Sequence, residues 1–190
     1  MKQLLCSIFV FLTPLVFAQQ DVPADVDLGP EQYLMTPEEA VGEIFGQNYS
    51  TEFDTISVSQ SARTQIENEL HRAVPDTQYV VRKIYQNNNL TGYAMVINEY
   101  GKYRPITLLV GVDAEFNVEG VRILVYRENR GGEVQRQRFL YQYRGKSSDE
   151  PIRINRDIIN ISGATISVRG VNAGVRRVLH LIEWHYGDGS

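Results

Sequence analysis

From Tyr79 the chain settles on a period of two and keeps it until Tyr126, in four runs separated by short polar turns. The runs are Tyr79–Tyr85, Gly92–Asn98, Ile106–Val112 and Val118–Tyr126. The turns lie at Asn87-Asn88-Asn89, Glu99 to Lys102 and Asp113 to Asn117. That period marks strands with a buried face, and turns this short join antiparallel neighbours. The period then lengthens. From about Thr165 to Glu183, Val168, Val171, Val175, Val178, Leu179 and Ile182 fall on one face of a helix. Helices first, then consecutive hairpins, then a helix, is an α+β order and not the alternation of a doubly wound fold. The expected fold is α+β: a single domain, an antiparallel sheet with helices packed on one face, and a C-terminal helix.

The N-terminal third is read as helical. Thr36-Pro37-Glu38-Glu39 has the form of a capping box with proline at the first helical position; Ala40, Val41, Ile44 and Phe45 supply the apolar face and Gly46 the stop. A second helical spacing runs from Ile56 to Ala73, with Ser59 or Ser61 as cap and Ile66, Leu70 and Val74 inward. Phe139 to Tyr143 reads as a short strand or a packing segment. Ahead of these, Lys2, the apolar stretch Leu4 to Phe17, and Val16 and Ala18 read as a secretory leader cleaved after Ala18. The expected organisation is a leader at 1–18, a linker at 19–32, a helical part at 33–78 and the main domain at 79–186.

Charge and cysteine usage narrow the function classes. Net charge is −4, and loss of the leader removes Lys2 and no acid, giving −5. A chain of that sign offers no general cationic field to phosphodiesters, so nucleic acid is not an expected partner. The lone cysteine, Cys6, leaves with the leader, which excludes disulfides and thiolate chemistry from the exported chain. His71, His180 and His185 have no ligand spacing, and no metal site is expected. Ser162 lacks the glycine-elbow context of a nucleophilic serine.

The remaining candidate is Ser162-Gly163-Ala164-Thr165, followed by Ser167, just before the final helix. Gly163 lets a ligand approach the backbone. Ala164 adds little bulk, Thr165 and Ser167 carry hydroxyls, and the first amides of a helix attract a phosphate. The same residues also suit an ordinary serine or threonine helix cap, and the residues alone leave both readings open. Arg169, Asn172 and Arg176 share a helix face and, flanked by Arg177, suit either a phosphate, an acidic partner or plain solvation.

Ile161-Ser162-Gly163-Ala164-Thr165-Ile166-Ser167 resembles the signature of FMN-binding domains. These include the peripheral flavoprotein subunits of sodium-pumping NADH:quinone oxidoreductases and Rnf complexes, and stand-alone exported members. The resemblance extends to Pro105-Ile106 with the strand pair around Gly111 and Gly120. It also covers the loop Tyr126 to Glu133, which stands where respiratory members carry Glu-Thr-Pro-Gly, and the Phe139, Gln142, Gly145, Lys146 segment. Met35 to Ala40 is similar to the opening of the exported members. In that family a flavin transferase joins FMN through its phosphate to the motif threonine, here Thr165. The resemblance implies FMN as cofactor, held by Thr165 with Ser162, Gly163, Ala164, Ser167 and Arg169, and bordered by Glu128, Asn129 and Gly131. It implies an exported electron carrier more than a stand-alone enzyme, with a flavin transferase and a membrane or periplasmic redox partner. A flavin-dependent reductase of a small molecule and a flavin-free secreted binding module are the alternatives. Two departures stand out. Ile159 replaces the Asp that many members carry three residues before the motif serine, leaving Asp157 as the nearest acid. Glu128-Asn129-Arg130-Gly131 lacks the Thr and Pro, and places Arg130 where a cation would raise the flavin's potential. Tyr85, Tyr93, Tyr100, Tyr103, Tyr126 and Trp184 are the aromatic candidates for stacking on a ring.

Overall fold

The computed structural model describes residues 29–187, so the leader and most of the linker lie outside the described residues. In chain order the elements are β1 (Gln32–Tyr33), α1 (Pro37–Phe45), β2 (Ser50–Ser57), α2 (Gln60–Leu70), β3 (Gln78–Gln86), β4 (Asn89–Tyr100), β5 (Pro105–Asp113), β6 (Val118–Tyr126), α3 (Gln137–Leu140) and α4 (Thr165–Tyr186). The strands form one sheet in the order β1-β6-β5-β4-β3-β2, every pair antiparallel. Strands β3 to β6 are joined by short local turns, and β2 returns to β3 through α2, which is why β2 to β6 lie in sequence order across the sheet.

The expected antiparallel sheet and closing C-terminal helix are both present. Helices α2 and α4 share one face, over the larger core. There Ile56, Ile66, Leu70, Val81, Met95, Leu108, Val110 and Ile123 meet Val168, Val171, Val175, Val178 and Ile182. Helix α1 departs from the one-face expectation and lies on the opposite face with Ala40, Val41, Ile84, Ala94, Leu109 and Leu124. The cause is local: Gly111 and Gly120 pair across β5 and β6 and present bare backbone, on which Ile44 and Phe45 rest. The capping box at Thr36 and Glu39 is formed as read: Thr36 N donates to Glu39 Oε2 at 2.8 Å, and Glu39 N to Thr36 Oγ1 at 3.2 Å.

Strand β2 is absent from the sequence reading, and α2 starts at Gln60, behind a Ser59 cap, rather than at Ile56. The segment Phe139 to Tyr143 is helical, a turn of α3 followed by a 3-10 turn, with Phe139, Leu140 and Tyr143 buried. One ion pair is enclosed in the larger core. Arg177 of α4 meets Glu99 of β4 at 2.6 Å, and Arg72 approaches the same carboxylate at 3.5 Å. Burial pushes the Glu99 carboxyl upward, and the two guanidinium groups oppose that shift.

Candidate functional site

Helix α4 begins without a side-chain cap. Ala164 is the N-cap residue, and no side chain there accepts a hydrogen bond, whereas Thr36 and Ser59 cap α1 and α2. The cap reading of Ser162 to Thr165 therefore fails: the motif does not do the job that Ser and Thr usually do at that place. No N-cap side chain takes up the first-turn amides of this 22-residue helix, whose dipole favours an anion. Gly163 turns the chain into the helix at φ +82, with open space where a side chain would stand. Thr165 is half-buried and its hydroxyl accepts a hydrogen bond from Asn160 Nδ2 at 3.0 Å, which orients the oxygen. Ser162 is exposed, Ala164 is buried, and Arg169 is exposed one turn further along.

Ser167 faces the other way, into the protein. Its Oγ lies 2.9 Å from the Tyr126 hydroxyl, which donates to the Arg130 carbonyl at 2.5 Å. These bonds tie the start of α4 to the loop after β6. Gly131 is packed at the same point, at φ +79. A Cβ there would stand 2.5 Å from Ser167 Oγ and 2.8 Å from the Tyr126 hydroxyl, so only glycine fits.

Glu128 is 6% exposed and neither a solvated charge nor an acid aimed at a ligand. Its Oε1 accepts from the Tyr103 amide at 2.7 Å and the Arg104 amide at 3.1 Å, clamping the β4–β5 turn to the β6 loop. That turn in turn abuts α4, because a Cβ on Gly170 would stand 2.7 Å from the Tyr100 carbonyl. Asn129 is exposed, with its Cβ 3.1 Å from the position a side chain would take at Gly29. Three segments distant in sequence thus converge on the first turns of α4: residues 101–104, 127–131 and 159–167.

Beside this convergence is an open cavity of about 280 Å³, lined by Phe139, Gln142, Ile159 and Ile161 among others, with Glu133, Arg136 and Arg138 at its sides. Gln142 shapes it: its Oε1 accepts from the Ile159 amide at 2.8 Å and its Nε2 donates to the Phe139 carbonyl at 3.2 Å. Ile159 is 76% exposed at this cavity. Asp157, the nearest acid, does not substitute there. It accepts from the Ile152 and Arg153 amides and pairs with Lys146 at 3.2 Å. Burial works against its charge, but the Arg153 amide and Lys146 outweigh burial and hold the carboxyl below its usual range.

Other sequence candidates are placed elsewhere. Arg176 donates to the Leu70 and Glu69 carbonyls at the end of α2, and Arg177 serves Glu99, so neither reaches the start of α4. Asn172 accepts from the Tyr143 hydroxyl at 2.6 Å in the core. Of the aromatic candidates, Tyr93 is buried, Tyr85 lies on β3 and Trp184 near the C-terminal end of α4; Tyr126 is buried at the convergent end with its hydroxyl engaged, and Tyr100 and Tyr103 belong to that end without being buried. Sequence reading missed Asn160 as a partner of Thr165; its Asn-Ile-Ser spacing gives no hint of that contact. It also missed the Tyr126–Ser167 bond, which joins positions 41 apart.

Residues 101–180 match the model of the FMN-binding domain family. The chain carries an FMN-binding domain. The matched range begins at the β4–β5 turn and ends on α4, so it contains each of the three convergent segments. In fold, this FMN-binding domain is similar to a solved subunit of the Na(+)-translocating NADH-quinone reductase from Parabacteroides distasonis. The two share 18% identity over 75% of this chain and 81% of that one, with a TM-score of 0.50. A second solved structure, Shewanella oneidensis NqrC, shares 16% identity over 70% of this chain and 79% of that one, at a TM-score of 0.48. No curated protein matches the chain.

FMN is the cofactor of the domain, and the residues present fit it. A phosphate is matched by the uncapped amides of α4, the clear space over Gly163 and the oriented Thr165 hydroxyl. The flat faces of the flavin ring are matched by the apolar walls of Phe139, Ile159 and Ile161, and its polar edge by the arginine, glutamine and asparagine side chains of the same cavity.

Proposed function

We propose that this chain is an exported electron-transfer flavoprotein whose FMN is joined by a phosphoester to Thr165. The observation that carries the proposal is the uncapped start of α4: a motif with two hydroxyls that leaves the helix amides open and holds Thr165 Oγ1 beside them. Bound FMN supplies one- and two-electron chemistry. The chain's own residues do the rest. The first-turn amides and helix dipole hold the phosphate, with Arg169 close by in sequence to neutralise it. Asn160 donates to Thr165 Oγ1 and so fixes where that oxygen stands. Gln142, Phe139, Ile159 and Ile161 shape the recess that receives the ring, and Glu128 and Gly131 fix the loops around it.

A flavin transferase is the maturation partner in this reading, and a membrane or periplasmic redox protein the partner in turnover. Export rests on the leader-like residues 1–18. Covalent attachment also explains why a carrier outside the cytoplasm keeps a cofactor that has no free pool to replace it.

Intact mass of the exported protein, co-expressed with a flavin transferase, tests the attachment. The expected result is an FMN-sized increment, lost entirely in Thr165→Ala and retained in Thr165→Ser. An unmodified mass together with flavin absorbance that survives gel filtration would overturn the bond and leave the cofactor reading standing. Mass also reports the N-terminus: a mature chain starting at Gln19 supports export.

A further inference from the structure

The cations of this chain are distributed unevenly. Among the described residues, eight lysine and arginine side chains stand within ion-pair distance of a carboxylate, on the sheet, on α4's far half and on the loops. Arg63 and Arg176 are engaged by backbone carbonyls. Arg153 and Arg156, just before Asp157, also meet no carboxylate among the described residues, but the larger unpaired group belongs to the start of α4 and the segments converging on it. Lys102 and Arg104 on the β4–β5 turn, Arg130 on the β6 loop, Arg136 and Arg138 at the cavity, and Arg169 on α4 pair with no carboxylate among the described residues. Among the described residues Glu133 is the one carboxylate lining the cavity, and Glu128 spends its charge on backbone amides. A chain of net charge −4 therefore carries a local positive rim at its flavin end.

We propose that this rim is the docking surface for an acidic redox protein, an inference that rests on the flavin reading above. Charge complementarity decides the partner's sign. Unpaired cations beside a recess repel a basic partner and steer an acidic one, while the net charge of −4 gives the chain as a whole no general attraction for that partner. Two of these cations, Arg136 and Arg138, line a concave recess rather than a flat apolar face, which suits a protein presenting its own redox group more than a bilayer. Contacts of this kind bury little surface, below about 1,200 Å², so the encounter is short-lived and salt-sensitive.

Stopped-flow exchange with reduced flavodoxin, an acidic protein, tests it. One electron leaves the flavodoxin hydroquinone and one is gained by the FMN of this chain. The expected second-order rate constant falls about tenfold from low to high salt, because screening shortens the field to a few ångströms. Arg136→Glu with Arg138→Glu lowers the low-salt rate by a similar factor and flattens its salt dependence, while the double lysine variant retains both. Basic cytochrome c, offered to the reduced protein, shows the opposite salt trend. Salt-indifferent exchange, or cytochrome c favoured at low salt, overturns the proposal. So does a rim that binds phosphatidylglycerol vesicles, loses them in the Glu variants, and leaves flavodoxin exchange unchanged. Failure of the flavin reading is separable: it shows as a colourless protein before any rate is measured. In that case amide NMR shifts at residues 130–138 on adding flavodoxin still decide the docking.

Discussion

Glu128 shows how a single residue can belong to a site without touching what the site binds. Its carboxylate is withdrawn from solvent and supplies a side-chain acceptor for two consecutive amides of a turn 24 and 25 residues away in sequence. Glu128→Ala is expected to cost about 2–3 kcal/mol in chemical denaturation, since both amides lose a charged acceptor. Glu128→Gln keeps one acceptor oxygen and should cost about half as much. Sequence reasoning could name Glu128 from its place in the loop, but not its role, because the partners lie on a different hairpin. Thr165 was legible in the same sense: the motif marks it, while its orienting partner Asn160 carries no signature. Ile159 was legible only as a departure. The structure gives it a physical setting, an exposed apolar side chain at the lip of an apolar recess.

Among the elements, those with strong periodicity were the readable ones. The four runs from Tyr79 to Tyr126 became β3 to β6, and the valine-rich stripe became α4. Strand β2 escaped because it is an edge strand. Only Ile56 of its eight residues is buried, so Ser-Thr-Glu-Phe-Asp-Thr-Ile-Ser carries no alternation to detect. Its identity is imposed by pairing with β3, from Ser50 opposite Tyr85 to Ser57 opposite Gln78. Helix α1 and its apolar face were found, but the side of the sheet it covers was not, because that depends on two glycines far later in the chain, Gly111 and Gly120. Gly111→Ala tests the cause: the new methyl would meet Ile44 Cγ2 and Phe45 Cε2 at 2.9 Å. Overpacking of this kind is expected to cost about 1–3 kcal/mol. Hydrogen exchange should show the loss concentrated in α1, with α4 protected as before.

Across the whole molecule, Asp54 joins the edge of the sheet to the end of the last helix. Asp54 on β2 meets Lys83 on β3 at 2.8 Å and accepts from the Tyr186 hydroxyl at 2.9 Å. Lys83 foremost, then Tyr186 and the Thr55 amide, lower the Asp54 carboxyl to about 2 from its ordinary 3.8. A carboxyl lowered in the folded state stabilises the fold fully above its unfolded value, and that stability is lost as pH falls from about 4 towards about 2. Solvent screens this half-exposed pair, so the contribution is about 1 kcal/mol. Urea midpoints between pH 5 and pH 2 should therefore fall less steeply in Asp54→Asn than in the parent.

The short strand β1 has a practical consequence. It pairs Gln32 with Tyr126 and Tyr33 with Val125, at the very end of β6 that leads into the Glu128 loop. Glu31 meets Arg127 there at 3.4 Å. The described chain thus begins beside the recess, whereas Gly187 lies beyond the other end of α4, one helix length or roughly 33 Å away. An affinity tag, dye or electrode linker fused ahead of Gly29 would crowd the face through which electrons would pass. The same attachment at the C-terminus would present that face outward, free to work.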